Sequence, residues 1–255
     1  MIILVTGASS GIGAACVERL RKAGHTVIGA SRSGTAGCVL DIRDPAAIDR
    51  ALREIVGQHG RLDAVVNSAG VAVGGPLEET PLDLVHAQLE TNLMGAVYLA
   101  RASAPYLRQS APSRFVHISS LAAHVALPYQ ALYSAAHFGM SGFCQALRYE
   151  MAPHGVRVLL VEPGSVRTGL TGNRRGLMNS DAYPAAEVAL RINDQDELGG
   201  VDADRIAQTV ERMLTDPSPP DRISVGHWHE RIGLLAKRFL PAKLFRWIIG
   251  SHYSS

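Results

Sequence analysis

"VTGASSGIG", residues 5–13, is a glycine-rich turn between an apolar β-type run and a helical stretch. Its three glycines permit a tight turn, a close approach of the backbone to a pyrophosphate, and close packing of the helix on the strand. The start of the following helix also favours negative charge. In this strand–turn–helix setting the pattern predicts a dinucleotide-binding turn. Its predicted contact residues are Gly7, Ser9, Ser10, Gly11, Ile12 and Gly13.

Short β-type runs continue along the chain and alternate with helical segments. Together with "IILVT", which precedes the turn, they read "HTVIGAS", "GCVLDI", "LDAVVNS", "RFVHISS", "VRVLLVEP" and "RISVG". This alternation predicts βαβ units and a parallel sheet. The runs at 62–67 and 156–161 are almost wholly apolar, as in strands that helices cover on both faces. Asp44 followed by Pro45 predicts a helix start. We therefore expect an α/β fold with a doubly wound parallel sheet of Rossmann type in a single domain.

Composition limits the classes of partner. The 255 residues carry 25 Lys+Arg against 23 Asp+Glu, a net charge of +2 that gives no reason to expect nucleic acid. The three cysteines form no CxxC pair, which fits a reducing compartment. No apolar run approaches the roughly 18 residues of a membrane span, and no basic segment precedes residues 2–5. We expect a cytoplasmic protein. No third ligand is spaced to join His227 and His229, so we expect no metal.

The predicted organisation has three parts. Residues 1–225 form the dinucleotide-binding and catalytic domain. Within it, residues 169–200 are the least regular segment and a candidate substrate lid. Residues 226–255 form an amphipathic helical tail with a basic face. The tail can lie on a membrane surface, cover the substrate mouth or pack on a partner subunit, and the sequence favours the last two.

The end of the second predicted strand bears on cofactor choice. The stretch "GASRSG" has no acidic residue at this point but carries Arg32. An acid there would bind the ribose 2′-hydroxyl of NAD, whereas an arginine accommodates the 2′-phosphate of NADP. We predict NADP(H) over NAD, the alternative being that Arg32 is only a solvated surface charge.

Further motifs carry a family resemblance. They are "NSAG" at 67–70, "TN" at 91–92, "ISS" at 118–120, the helix with Tyr133, and "EPGSVRT" at 162–168. With the glycine turn, their order and spacing resemble the short-chain dehydrogenases/reductases over about residues 1–225. The stretches "AGVAVGGPLEET" and "RFLPAKLFRWIIG" resemble the branch of 17β-hydroxysteroid-dehydrogenase-like oxidoreductases. The resemblance implies an NADP(H)-dependent oxidoreductase that reduces a ketone, or oxidises a secondary alcohol, on an apolar small molecule. It also implies a homodimer or homotetramer.

The resemblance assigns site residues as well. It implies adenine-side contacts from Asp41 and Asn67. Further implied cofactor contacts are Ala69, Gly70, Tyr133, His137, Pro163, Gly164, Val166 and Thr168. The implied catalytic group is Asn92, Ser120, Tyr133 and residue 137. The family has lysine at that last position, and this chain has His137.

This replacement matters for the chemistry. In ketone reduction Tyr133 would give a proton to the carbonyl oxygen, Ser120 would donate a hydrogen bond to the same oxygen, and Asn92 would hold a proton-carrying water. A lysine one helical turn away would lower the pKa of the tyrosine, an effect of about 4 kcal/mol at about 4 Å and an effective dielectric near 20. A histidine with an ordinary pKa near 6.5 would be mostly neutral at pH 7 and would gain charge in mild acid.

Three hypotheses for His137 follow. The site is impaired, and the chain binds the cofactor with little turnover. Alternatively, the chain is a working reductase, because reduction needs a protonated tyrosine. In the third hypothesis the histidine serves a different reaction, such as isomerisation or elimination.

Other side chains complete the prediction. An apolar substrate slot is expected from Leu121, His124, Pro128, Tyr129 and Leu170. His117 lies within a β-type run and is expected to be a packed core residue.

Overall fold

The computed structural model describes residues 1–169, 174–176 and 180–253. Its strands are β1 (Ile2–Thr6), β2 (Thr26–Ser31), β3 (Gly37–Val39), β4 (Ala64–Asn67), β5 (Ser113–Ile118), β6 (Val156–Pro163), β7 (Val166–Arg167), β8 (Val201–Asp202) and β9 (Arg222–Val225). Its α-helices are α1 (Gly11–Lys22), α2 (Pro45–His59), α3 (Leu82–Leu89), α4 (Gly95–Gln109), α5 (Ala131–Met151), α6 (Ala185–Leu198), α7 (Ala203–Thr215), α8 (Trp228–Phe239) and α9 (Ala242–His252).

Seven strands form one parallel sheet in the order β3-β2-β1-β4-β5-β6-β9. The chain builds outward in one direction from β1 to β3 and then returns to add β4 on the other side. The crossover therefore changes direction between β1 and β4, and a crevice opens there at the carboxyl ends of the strands. The predicted α/β fold with a doubly wound parallel sheet is confirmed, and each predicted β-type run overlaps a strand of this sheet.

Helices cover both faces of the sheet because its side chains alternate between two apolar clusters. One cluster joins residues such as Leu4, Val65 and Phe115 to α2, α4 and α5. The other joins Ile3 and Val66 to α1 and α7. Strands buried on both faces explain the nearly continuous apolar runs in the sequence.

The predicted helix start at Asp44 is confirmed. Its carboxylate accepts hydrogen bonds from the backbone N–H groups of Ala46 and Ala47 at 2.9 and 3.1 Å, and Pro45 occupies the first turn of α2. Such caps stabilise a helix by about 1 kcal/mol. In contrast, no side chain of the described residues caps α1. The first amides of α1 therefore stay available to a ligand.

The segment predicted to be least regular contains ordered secondary structure. Residues 185–198 form α6, so that part of the prediction was wrong. Ala186, Ala189 and Leu190 are buried on one side of α6, and this apolar spacing holds the helix against the domain. Leu170 lies outside the described residues.

The tail forms two helices, α8 and α9, separated at Pro241, where a helix cannot continue from the preceding turn. Within the described part of the chain, no helix combines the length and the apolar character needed to cross a bilayer. One acidic side chain fastens the start of the tail. The Glu230 carboxylate accepts hydrogen bonds from the backbone N–H groups of His227 at 2.6 Å and Ser165 at 2.7 Å.

Candidate active site

A cleft of about 500 Å³ opens at the carboxyl ends of β1, β2, β4, β5 and β6. The glycine turn and the start of α1 form one wall, and the loop after β6 forms another. The side chains of Asn92, Ser120, Tyr133 and His137 all line this cleft. The fold thus gathers the four predicted catalytic residues from two helical elements and the loop after β5.

The turn between β1 and α1 fits a pyrophosphate. Gly7 has a φ of 66°, and a Cβ at this position would lie 2.7 Å from the backbone nitrogen of Ala69. Only glycine lets the turn pack so closely against the loop after β4. Gly11, at the start of α1, has a φ of 54°. Gly13 does not line the cleft, because it packs against the backbone of Gly7. Ser9 and Ser10 are exposed beside the uncapped start of α1.

Three charged residues line the far end of the cleft. Arg43 donates hydrogen bonds to both carboxylate oxygens of Asp41, at 3.0 and 2.6 Å, and this contact holds the pKa of Asp41 below its usual range. Arg32 is exposed, lines the cleft, and makes no hydrogen bond or ion pair with the described residues. Its guanidinium is therefore the basic group at this end that remains available to an anionic ligand.

The side chain of Asn67, for which the resemblance implies an adenine-side contact, does not point into the cleft. Asn67 is fully buried, and its carboxamide accepts a hydrogen bond from the Thr6 hydroxyl at 2.6 Å and lies 3.1 Å from Nδ1 of His117. The side chain thus ties β4 to its neighbours β1 and β5. Ala69 and Gly70, which follow it, do line the cleft.

Asn92 lies in a π-helical segment, residues 90–94, between α3 and α4. π-Helical turns are rare and often occur at functional sites. Here the widened turn lets the carboxamide bond the backbone of Val71 twice, accepting from its N–H and donating to its C=O, each at 2.9 Å. Asn92 therefore fixes the loop after β4 along the wall of the cleft.

Tyr133 and Ser120 form the polar centre of the cleft. Burial raises the pKa of Tyr133 above its usual range, and the nearby carboxylate of Glu197 adds to the rise. A hydrogen bond with Ser120 and the charge of Arg174 act in the opposite direction. With the pKa raised, the phenol stays protonated at neutral pH, the form needed to donate a proton.

His137 lies beneath Tyr133, with the two ring centroids 4.4 Å apart. It is buried, and its Nδ1 lies 3.2 Å from the Ser119 hydroxyl. Burial lowers the pKa of His137 to about 4. The expectation that this ring gains charge in mildly acidic solution was therefore wrong, because the ordinary value near 6.5 does not apply at a buried position.

His117 is buried in β5, as expected, yet it also lines the cleft. Its Nε2 has no hydrogen-bond partner among the described residues. Burial lowers the pKa of His117 to about 3, and the adjacent His137 adds to the effect. The cleft is therefore lined by two imidazoles whose pKa values are lowered by burial.

These two rings lead to a prediction for stability in acid. Both stay neutral in the folded chain but accept protons near pH 6.5 once unfolded, so unfolding takes up two protons between about pH 6 and 4.5. We expect the free energy of unfolding to be nearly unaffected by them above about pH 7.5 and to fall by up to about 2.7 kcal/mol per pH unit through that window. Urea unfolding at a series of pH values measures this slope. His137→Gln should remove about half of this slope. A variant with the same slope as the unmodified protein would contradict the view that His137 stays neutral in the folded chain.

Beyond Tyr133, toward the predicted lid, the described structure is polar. The Arg174 guanidinium is almost fully buried and bonds both Asp194 and Glu197, at 2.9 and 3.1 Å. Glu197 also lines the cleft, and Asn193 donates a hydrogen bond to its carboxylate at 3.0 Å. This arrangement of two carboxylates around one guanidinium was not predicted, because a loop and most of α6 lie between the arginine and its two partners in the sequence.

Of the residues predicted to form an apolar substrate slot, none of those that the structure describes lines the cleft. His124 instead bonds the buried carboxylate of Glu162 through its Nε2 at 2.9 Å. Arg222 bonds the same carboxylate at 2.6 Å, so the buried charge is compensated. Leu121 and Pro128 lie in the same segment and also fall outside the cleft, whereas Tyr129 borders a small neighbouring depression.

Four other residues that are predicted to contact the cofactor line the cleft. Pro163, Gly164, Val166 and Thr168 line the wall that faces the glycine turn. Among residues 1–169, 174–176 and 180–253, no group of three or more His, Cys, Asp or Glu side chains is placed to hold a metal ion. The rings of His227 and His229 stack with centroids 5.4 Å apart.

Known proteins are similar to this chain in sequence and in fold. The family model described as short chain dehydrogenase matches residues 1–177. A 3-ketodihydrosphingosine reductase of Bacteroides thetaiotaomicron is 31% identical over 99% of this chain and 98% of its own length. The oxidoreductase BOA17 of Botryotinia fuckeliana is 30% identical over 88% of each chain.

A solved structure matches the whole chain as well. The crystal structure of a short-chain dehydrogenase from Streptomyces avermitilis is 29% identical, covers 100% of this chain and 98% of its own, and superposes with a TM-score of 0.85. The glycine turn, the doubly wound sheet and the shared sequence agree. The chain therefore belongs to the short chain dehydrogenase family, whose oxidoreductases bind NAD(P) and act on small molecules.

Proposed function

We propose that the chain reduces a ketone on an apolar small molecule with NADPH as the reductant. The observation that carries this proposal is the position of the Tyr133 phenol in the cleft, where it is hydrogen-bonded to Ser120 and has the His137 ring, with a centroid distance of 4.4 Å, in place of a lysine ammonium. Alcohol oxidation needs the tyrosinate form, whereas ketone reduction needs the phenol. The electrostatics of the cleft therefore favour the reductive direction.

In the proposed mechanism each residue acts from its observed position in the cleft. The glycine turn and the amides of α1 would hold the pyrophosphate, and the loop from Pro163 to Thr168 would help to hold the nicotinamide end of the cofactor. When bound, NADPH supplies a hydride. Ser120 donates a hydrogen bond to the carbonyl oxygen as negative charge grows there, and Tyr133 gives that oxygen its proton. Asn92 keeps the adjacent backbone in place.

In this proposal His137 acts as a neutral residue. Its Nδ1 is engaged with Ser119, so the opposite edge of the ring remains to bind the nicotinamide ribose. A neutral imidazole cannot lower the pKa of Tyr133 as an ammonium would. The impaired-site and different-reaction hypotheses remain as alternatives to the working reductase.

The proposed substrate class is a long-chain or otherwise apolar ketone. The similar protein of Bacteroides thetaiotaomicron is a 3-ketodihydrosphingosine reductase, which supports a lipid-derived ketone. The resemblance to 17β-hydroxysteroid-dehydrogenase-like oxidoreductases favours a large apolar substrate too, and that branch stays a prediction. We propose the cytoplasm as the compartment, in keeping with three free cysteines, of which Cys16 and Cys144 are buried.

Consumption of NADPH with a panel of ketones tests the function. The panel should include 3-ketodihydrosphingosine, a steroid ketone and a short water-soluble ketone. We expect turnover with at least one apolar member and weaker turnover with the short one. NADPH binding without consumption across the panel would contradict the reductase and favour a chain that only binds the cofactor.

Cofactor preference gives a separate prediction. Arg32 is available at the cleft, so NADPH should bind more tightly than NADH by about 10- to 100-fold, as charge-assisted hydrogen bonds are worth about 1.5–3 kcal/mol. Arg32→Asp should reverse the order, because the new carboxylate repels the 2′-phosphate and can accept a hydrogen bond from a 2′-hydroxyl. Titration of cofactor fluorescence measures both affinities.

The matched control is Arg53→Asp, which makes the same charge change at an exposed position of α2 outside the cleft. It should leave both affinities unchanged. Equal binding of NADPH and NADH by the unmodified protein would remove the reason for choosing NADP(H).

We also propose a homodimer or homotetramer that pairs α4 and α5 across a two-fold axis. The support is the family resemblance together with the outer surface of α5, where Tyr149 is 84% exposed. Sedimentation at micromolar concentration should give two or four times the monomer mass. Tyr149→Glu should shift the mass toward the monomer, and a monomeric mass for the unmodified protein would contradict the proposal.

A further inference from the structure

The two tail helices carry an unusual amount of exposed apolar surface. Of the twelve large hydrophobic side chains that are exposed in the described chain, six lie in α8 and α9, which make up less than a tenth of it. They are Trp228, Ile232, Phe239, Leu244, Trp247 and Ile248. A patch of this kind marks an interaction surface, because scattered single residues are the rule elsewhere.

These side chains share one side of each helix. At about 100° per residue, Trp228, Ile232 and Phe239 fall within about 40° of one another around α8. Leu244, Trp247 and Ile248 span about 100° around α9 by the same geometry. Trp228 and Phe239 are 73% and 76% exposed, so the stripe on α8 faces away from the domain. We call these six residues the tail apolar face.

The opposite side of α8 is anchored to the domain. Glu230, on that side, accepts the hydrogen bond from the backbone of Ser165, in the loop that lines the cleft. Lys237, also opposite Trp228, donates a hydrogen bond to the backbone carbonyl of His124 and lies over the ring of Phe138. The end of α9 is fastened too, since Tyr253 is 9% exposed and His252 bonds Asp196 at 3.0 Å. These contacts hold the tail apolar face outward.

Charge is segregated in the same region. Residues 228–253 contain five basic residues and one acidic residue, a net charge of +4. The remainder of the chain has 20 basic against 22 acidic residues, a net charge of −2. The single acid of the tail is Glu230, which faces the domain. Arg238 and Lys243 are exposed beside the apolar stripes of their helices. The outward side of the tail therefore carries apolar and basic side chains, and its one acidic residue points away from it.

We propose that the tail apolar face binds the surface of a membrane rich in anionic phospholipid. Helices that lie in a bilayer interface combine tryptophan and aliphatic side chains on one side with lysine and arginine next to them. Phospholipid phosphates would accept hydrogen bonds from the basic side chains, and acyl chains would cover the apolar side chains. The sequence favours a tail that covers the substrate mouth or packs on a partner subunit. The inner side of the tail bonds Ser165, His124 and Asp196 of the domain, and the proposal concerns its outer side.

A second copy of the chain is the competing occupant. Two copies meeting face to face through this surface would bring two sets of basic side chains together, and nothing acidic on the tail's outer side would compensate them. An anionic surface does compensate them. The proposal is independent of the reductase proposed above, because it concerns binding and not turnover.

The protein carries its own reporter for this contact. Its two tryptophans, Trp228 and Trp247, both belong to the tail apolar face. Vesicles of phosphatidylcholine containing phosphatidylglycerol should shift the tryptophan emission to shorter wavelength and sediment the protein. Brominated acyl chains in the same vesicles should quench the emission, since bound side chains reach about 5–10 Å into the interface. Phosphatidylcholine alone should bind far more weakly.

Two double variants separate the electrostatic and the apolar contributions to vesicle binding. Arg238→Gln with Lys243→Gln should weaken vesicle binding on the order of 30-fold, from roughly five- to sixfold per basic residue near an anionic surface. Ile232→Ser with Ile248→Ser should weaken it through lost apolar contact. The matched controls are Arg53→Gln and Leu82→Ser, which change an exposed arginine and an exposed leucine elsewhere and should bind as the unmodified protein does.

Several outcomes would overturn the proposal. They are an unchanged emission with anionic vesicles, equal loss of binding in the controls, or equal binding to neutral and anionic vesicles. A blue shift that depends on protein concentration and not on vesicles would assign the face to a second copy. Quenching is measured on the unmodified protein, so the test stands even if a variant folds poorly.

Discussion

Tyr133→Phe should lower the rate of ketone reduction by about 10³- to 10⁴-fold while NADPH binding stays nearly unchanged. The substitution deletes the proton donor that is bonded to Ser120, and it leaves the ring that packs over His137 at 4.4 Å. Because the loss falls on a group used in the transition state, it should lower kcat and kcat/KM together. Steady-state consumption of NADPH and a cofactor titration measure the two halves of this prediction.

The matched control is Tyr149→Phe, the same change on the same helix at a residue that is 84% exposed and outside the cleft. Its turnover should equal that of the unmodified chain. If Tyr133→Phe retains activity while the control does too, another acid protonates the carbonyl oxygen and the proposed role of Tyr133 is wrong.

His137→Lys should raise activity by about 10- to 1,000-fold, equivalent to about 1.4–4 kcal/mol of barrier, with the larger gain in alcohol oxidation. A lysine would carry a charge near the phenol, which lowers its pKa and favours tyrosinate. The gain in reduction should be near the lower end, because reduction uses the phenol that burial already keeps protonated. Initial rates in both directions give the comparison.

His137→Gln is the control, since it keeps a neutral hydrogen-bonding side chain next to Ser119. It should stay within about an order of magnitude of the unmodified rate. The pH profile is a second check, because a ring with a pKa of about 4 should produce no acceleration between pH 7 and 5. A lower rate for His137→Lys on the authentic substrate would mean that the histidine is fitted to its own chemistry, contrary to both the impaired-site and the working-reductase hypotheses.

Local patterns predicted the framework well. The glycine turn, the apolar runs and the proline after Asp44 each act within a few residues, so they could be read without knowing the tertiary structure. The four residues at 92, 120, 133 and 137 could be grouped only through the family resemblance, because no local pattern links them. The structure places them around one cleft.

Features that depend on side-chain direction and distant partners could not be predicted. Asn67 ends a strand at the crevice, yet its carboxamide points between strands toward Thr6 and His117. The charge state of His137 depends on burial beneath Tyr133, which spacing does not reveal. Arg43 had a local signal, since it stands two residues after Asp41, and this pairing was missed. The contact between Glu230 and Ser165 had no local signal, because the two residues lie 65 positions apart.

That one carboxylate joins two parts of the chain with different tasks. Glu230 holds both the backbone of Ser165, next to the cofactor wall, and the first turn of α8 through His227. A displacement of α8 that moves Glu230 deprives the Ser165 N–H of its acceptor, and a rearrangement of that wall deprives the Glu230 carboxylate of the Ser165 donor. Thermodynamic reciprocity then applies: whatever factor the docked tail contributes to cofactor affinity, the bound cofactor must return to the docking of the tail.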